Sequence, residues 1–128
     1  MAIVLIAEDE TQVLVLAESY LQEQGHQTLS ASTAAEALAI IESTEDVDVL
    51  FTDIGLKGDL EAGLELASKA IEQRPGLKVL YTTGQNVTDG MKALFVKGAA
   101  MLVKPYTVEQ LLTSFSVHFG IGPRPRSA

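Results

Sequence analysis

Apolar residues fall along this chain in two alternating rhythms. Short runs that are apolar at nearly every position, such as Ile3–Ala7 and Val47–Thr52, are followed by stretches where apolar residues return every third or fourth place. Near-continuous Val, Ile and Leu predict strands covered on both faces, as in a parallel sheet. Glu10–Gln24 carries Val13, Leu14, Leu16, Ala17, Tyr20 and Leu21 at helical spacing, and Gly25 is placed to end that helix. Gln27–Ala31 predicts a weaker, partly polar and less buried strand. Ser32 or Thr33 can cap a helix over Ala34–Ser43, with Glu36 three residues after Thr33 as in a capping box. After the third strand, Val47–Thr52, a Gly-rich loop runs from Ile54 to Gly63, and a helix from Leu64 to Gln73 is stopped by Arg74-Pro75-Gly76. Leu77–Thr82 predicts a fourth strand, Val87–Lys97 a short helix ending at Gly98, Ala99–Val103 a fifth strand and Val108–Phe119 a last helix.

Five strand–helix units in alternation predict an α/β fold, a parallel sheet with helices on both faces and right-handed crossovers. The matching architecture is a five-stranded, doubly wound, flavodoxin-like sheet in the order 2-1-3-4-5. A length of 128 residues suits one domain. We place it at residues 1–119 and expect residues 120–128, with Gly, Pro, Arg124 and Arg126, to be a disordered tail or a linker stub.

Charge narrows the partners. Seventeen acids against nine bases give a net charge of −8, which disfavours nucleic acid or an anionic membrane as a direct partner. The chain has no cysteine, so neither a disulfide framework nor a thiolate metal site is expected. It shows no signal-peptide pattern and no stretch long enough to span a membrane, and a cytoplasmic location is expected. His26 and His118 lack a partner acid at ligand spacing and are expected on the surface or rim.

The chemistry is concentrated at the strand ends. They deliver, in order, Glu8-Asp9, a polar turn near Ser32, Asp53, Thr83 and Lys104. In the order 2-1-3-4-5 the first and third strands are neighbours at the switch point, where ligands of such sheets bind. Glu8, Asp9 and Asp53 should therefore converge on one crevice. Such a set of acids suits Mg²⁺, which takes one or two carboxylates and shares its shell with phosphate oxygens and water. A hydroxyl and an ammonium, Thr83 and Lys104, can hold the remaining oxygens of a transferring phosphoryl group. An aspartate among them can act as nucleophile and form an aspartyl phosphate.

Taken together, Glu8-Asp9, Asp53, Thr83-Gly84 and Lys104-Pro105 resemble the receiver (CheY-like) domain of two-component response regulators, from Ala2 to about Phe119. The resemblance implies that Asp53 accepts a phosphoryl group from a histidine kinase or phosphotransfer protein. It implies that Glu8, Asp9, Asp53 and the backbone carbonyl of Gly55 hold Mg²⁺. Thr83 would bind a phosphoryl oxygen, Lys104 would pair with the group, and the Lys104–Pro105 bond would be cis, which proline makes cheap. The response would appear on the face made by the fourth helix, fifth strand and fifth helix, for a downstream protein or in a homodimer. On this reading the chain is a stand-alone phosphorylation switch and not an enzyme, although it would assist its own phosphorylation and dephosphorylation.

The pattern departs from the family in places. Met-Pro commonly follows the phosphorylated Asp, whereas this loop reads Leu56-Lys57-Gly58-Asp59 and is longer by about two residues before Gly63. The family tends to carry Tyr or Phe three residues before the Lys, where Met101 stands here; Tyr106 and Tyr81 are the candidate substitutes. In the family the residues two after the Asp and two after the Thr flank the path of the attacking water; here Gly55 and Gln85 stand at those positions. Lys57, Asp59 and Glu61 are expected to form a solvated loop. Two other readings stand beside this one: a small phosphatase or phosphotransferase built on Asp53, and a degenerate receiver that only docks. Gly55, where the first would place a second Asp, argues against it; intact Asp53, Thr83 and Lys104 argue against the second.

Overall fold

A computed structural model describes residues 2–43, 46–59, 61–84 and 87–120. Five parallel strands form one sheet: β1 (Ile3–Ala7), β2 (Gln27–Ala31), β3 (Val49–Asp53), β4 (Lys78–Thr83) and β5 (Ala100–Val103). Their spatial order is β2-β1-β3-β4-β5, as the alternating pattern predicts. Helices α1 (Thr11–Glu23), α2 (Ala34–Ser43), α3 (Ala62–Gln73), α4 (Asp89–Lys92) and α5 (Val108–Phe119) connect and follow them. No helix among the described residues is long and apolar enough to cross a membrane.

Two cores flank the sheet. One face buries Leu5, Leu50, Val79 and Tyr81 with Ile41, Leu64, Leu66 and Ala67. The other buries Val4, Ile6, Val49, Phe51 and Leu80 with Leu21, Leu111 and Phe115. Alternate residues of β1, β3 and β4 thus enter opposite cores, which is why those strands read as unbroken apolar runs. The edge strand β2 is mostly half-exposed, in line with its polar sequence.

The helix ends follow local chemistry. Thr33 Oγ1 accepts the Glu36 N–H at 3.1 Å, as the sequence predicts for the start of α2. Thr107 and Gln110 form a reciprocal capping box on α5, and Gly120 closes that helix with φ +68°. Arg74, just past α3, donates from Nε and Nη2 to the Ile41 carbonyl at 3.2 and 2.9 Å, satisfying an acceptor near the end of α2.

Three expectations change. The helix predicted over Val87–Lys97 is a single turn, Asp89–Lys92. Gly90 weakens the segment, and beyond Lys92 the chain tightens into turns, Leu94 N–H to Met91 O and Phe95 N–H to Lys92 O. The Val96 N–H bonds not to a helical carbonyl but to the Tyr81 hydroxyl at 3.2 Å. The remaining boundaries shift by one or two residues: β3 and β4 run on to Asp53 and Thr83, and α3 starts at Ala62. The third change is His26, which is not a surface residue. It is 6% exposed, its Nδ1 accepts the Ala2 N–H at 3.0 Å, and its ring lies 5.8 Å from that of Phe115. The side chain of His118 and the tail beyond Gly120 lie outside the described residues.

Burial lowers the His26 pKa below its usual 6.5, and it is the neutral ring that accepts the Ala2 N–H. The unfolded chain then binds this proton more readily than the fold does. The stability from His26 is therefore present above pH 6.5 and is lost as pH falls from there through the lowered folded value. Thermal melts from neutral to mildly acid pH should fall more steeply for the native chain than for His26→Asn, whose amide oxygen can take the same N–H. Parallel slopes would contradict this assignment.

Candidate functional site

The sheet register sets the site. Ala7 pairs with Thr52, Asp53 with Thr82 and Thr83 with Val103, so the last residues of β1, β3, β4 and β5 end at about one level. Main-chain bonds lock that level: Ile54 N–H to Thr82 O at 2.9 Å and Lys104 N–H to Thr83 O at 2.8 Å. Glu8, Asp53, Thr83 and Lys104 are therefore presented side by side at the carboxyl edge. A cleft of about 320 Å³ opens there, lined by Asp9, Asp53, Gly55, Thr83 and Lys104 among others.

Lys104 is the electrostatic centre. Its Nζ lies 2.6 Å from Glu8 Oε1 and 2.7 Å from Asp53 Oδ2, with Glu10 Oε1 at 3.9 Å. Burial works against the Lys104 charge, but hydrogen bonds to Asp53 and Glu8 more than offset this and hold its pKa above the usual lysine range. Glu8 is only 4% exposed, and burial raises its pKa while Lys104 and the Glu10 N–H partly restrain the rise. That N–H donates to Glu8 Oε2 at 3.0 Å, so both Glu8 oxygens are engaged.

Asp9 completes the acidic set. One carboxylate oxygen from each of Glu8, Asp9 and Asp53 lies within 4.8 Å of the other two. Three carboxylates facing one ammonium leave excess negative charge, and such an oxygen-only donor set fits a hard divalent cation. Asp9 Oδ2 is held by the Lys57 N–H at 3.1 Å. Gly55 borders the same cleft.

The other predicted residues separate into two groups. Thr83 is buried and reaches the cleft, as expected. The Lys104–Pro105 peptide is cis. Met101 is half-buried and packs against the core that holds Tyr81. Tyr81 is fully buried, its ring centroid 4.4 Å from that of Phe95, so it bridges β4 to the segment after α4. Tyr106 leans the other way: it packs on the opposite core, 6.0 Å from Phe51, and lines a groove with Val13, Leu16 and Tyr20 of α1. Burial first, and then the charge of Glu8, push its phenol up to about 12. Gln85 lies outside the described residues.

Sequence reasoning missed three parts of the site. Glu10 reaches toward Lys104, and its amide orients Glu8. Asp59, expected to be solvated loop, borders the cleft and accepts the Glu61 N–H at 3.0 Å. Lys57 contributes through its main chain. The Lys-Gly pair in the loop was a turn signal that could have drawn attention to that stretch.

Comparison with known proteins agrees with this geometry. The family model described as the response regulator receiver domain matches residues 4–116. The transcriptional regulatory protein YbdJ of Bacillus subtilis is 27% identical over 109 residues, covering 85% of this chain and 47% of that protein. The nitrogen assimilation regulatory protein NtrX of Azorhizobium caulinodans is 28% identical over 110 residues, 85% of this chain and 24% of that protein. Among solved structures, a CheY-like response regulator receiver domain protein from Methanospirillum hungatei superposes with a TM-score of 0.81 at 32% identity, covering 91% of this chain and 92% of that one. A response regulator receiver protein from Sinorhizobium medicae gives 0.83 at 28% identity, covering 93% and 94%. The chain thus spans about half or a quarter of the length of these regulatory proteins, and nearly all of the receiver structures. On its sequence match, its strand order and its carboxyl-edge site, the chain belongs to the response regulator receiver domain family.

Proposed function

We propose that Asp53 is the phosphoacceptor of this receiver and that its donor is a histidine kinase or phosphotransfer protein. The observation that carries this reading is the convergence of Glu8, Asp9 and Asp53 on a cleft that also receives Lys104, 2.7 Å from Asp53. An Asp53 oxygen attacks the donor's phosphorus, the bond from phosphorus to the donor histidine nitrogen breaks, and an acyl phosphate remains on Asp53.

Glu8, Asp9, Asp53 and the Gly55 carbonyl are the ligands we assign to Mg²⁺. When bound, Mg²⁺ supplies neutralising charge for the phosphoryl oxygens. The chain's own residues do the rest. Glu8 holds Lys104 beside the reacting carboxylate at 2.6 Å, Lys104 balances charge on the transferring group, and Thr83 offers a hydroxyl from the end of β4. Gly55, two residues after Asp53, has no side chain to act as an acid or base, which supports a phosphoacceptor over an enzyme that turns over metabolites.

We assign the output to the face of α4, β5 and α5, where Val103 is 52% exposed and Val117 is 70% exposed. The expected partner is a downstream protein. We assign the chain to the cytoplasm, the compartment in which such a donor would reach it.

Incubation with acetyl phosphate and Mg²⁺ should add one phosphoryl mass, on the peptide that contains Asp53. Chelating the metal with EDTA should prevent the gain, and hydroxylamine should release it. Mass gain on another peptide, or undiminished gain in EDTA, would overturn the assignment.

A further inference from the structure

The connection from β3 to α3 is built as a two-residue hairpin. Leu56 N–H donates to Asp59 O and Asp59 N–H to Leu56 O, both at 3.0 Å. At its tip Lys57 and Gly58 have φ of 51° and 80°, the paired left-handed values of a type I′ turn. Leu56 is buried and anchors one side in the core, while the Asp59 carboxylate ties the other side to the Glu61 N–H. The turn is thus fixed by its own bonds and by packing. Of the two amides at the tip, that of Lys57 reaches a residue 48 positions away, Asp9, at 3.1 Å.

We propose that this hairpin is the positioning element for Asp9: the Lys57 amide grips one carboxylate oxygen and holds the group within reach of Glu8 and Asp53. The proposal rests on the reading that these three acids bind Mg²⁺. Glu8 is oriented by Lys104 and by the Glu10 N–H, and Asp53 by Lys104. Among the described residues, the Lys57 amide is the group that holds the Asp9 carboxylate. A donor on the outer oxygen of a metal-binding carboxylate fixes its rotamer and raises affinity by preorganisation.

The contact uses the main chain, not the ammonium of the exposed Lys57 side chain. Glycine at position 57 keeps both the N–H and the positive φ. Proline there has no N–H and a φ fixed on the negative side, so it can supply neither.

The test replaces Lys57 by its α-hydroxy analogue, which puts an ester oxygen where the N–H stands and keeps the side chain. Mg²⁺ affinity is then measured by NMR titration. The ester chain should bind Mg²⁺ about 10-fold more weakly, the low end for loss of such a supporting contact. A second measurement does not need the ester chain to fold. Without Mg²⁺, the Lys57 amide should exchange with solvent faster in Asp9→Ala than in the native chain. Native affinity in the folded ester chain, or equal exchange rates in Asp9→Ala and the native chain, would overturn the positioning role. If the native chain itself fails to bind Mg²⁺, the proposed function fails first, so the two failures are distinguishable.

Discussion

An Asp53→Asn chain is expected to keep its fold and to take up no phosphoryl group from acetyl phosphate with Mg²⁺. The reason lies in how the three acids are occupied. Glu8 is buried, and both its oxygens are engaged, by Lys104 and by the Glu10 N–H. Asp9 gives one oxygen to the Lys57 amide. Asp53 borders the open cleft and is held by Lys104 through Oδ2. It is therefore the carboxylate that a donor can approach with an ammonium already alongside. An amide of the same shape preserves packing but lacks the anionic oxygen that attacks phosphorus. Lys104 would keep its bond to Glu8 at 2.6 Å, so it would not be left as an unpaired buried charge. Intact-protein mass spectrometry is the check. Labelling of Asp53→Asn at the native level would move the phosphoacceptor elsewhere.

Gly63→Ala should carry the largest cost in stability. A Cβ at that position would stand 1.9 Å from the Asp53 carbonyl oxygen and 2.9 Å from Ile54 Cα. Both are main-chain atoms, tied into the sheet through Ile54 N–H to Thr82 O, and neither can swing aside as a side chain would. The Gly63 N–H also donates to Ile54 O at 2.7 Å, so the first turn of α3 sits directly on the end of β3. Overpacking of a core costs roughly 1–3 kcal/mol, and a collision with backbone belongs at the upper end. For a domain of this size that corresponds to a melting point lower by about 10 °C. The strain also falls on the residue that carries the reacting carboxylate. A misplacement of about 1 Å can cost on the order of 100-fold in rate, so phosphorylation should slow as well. Urea titration and labelling kinetics read the two effects. Stability within about 0.5 kcal/mol of native, the range of an ordinary surface change, would refute the close packing.

The two flanking cores were legible because β1, β3 and β4 are apolar on both faces, and such runs have few other uses. The strand ends were legible for a related reason. An acid at the end of a buried strand has a costly position, so Glu8 and Asp53 mark a site in the sequence itself. The departures have a common cause: main-chain partners are not written in the side chains. The apolar spacing of Val87–Lys97 suggested a helix, yet α4 stops at Lys92 and the Val96 N–H bonds to a phenol fifteen residues earlier. His26 looked idle because its partner is the amide of Ala2. Lys57 looked like a solvated charge because its contribution is an N–H.

The bond between Tyr81 and Val96 has one more implication. β4 ends in Thr83, and two residues down the same strand the Tyr81 hydroxyl bonds the α4–β5 connection at Val96. A shift at the reactive end can therefore travel through packed backbone and ring instead of through a swinging side chain on β5. The Tyr81 ring lies wholly in the interior against Phe95, so it ties the end of β4 to the outer segment between α4 and β5.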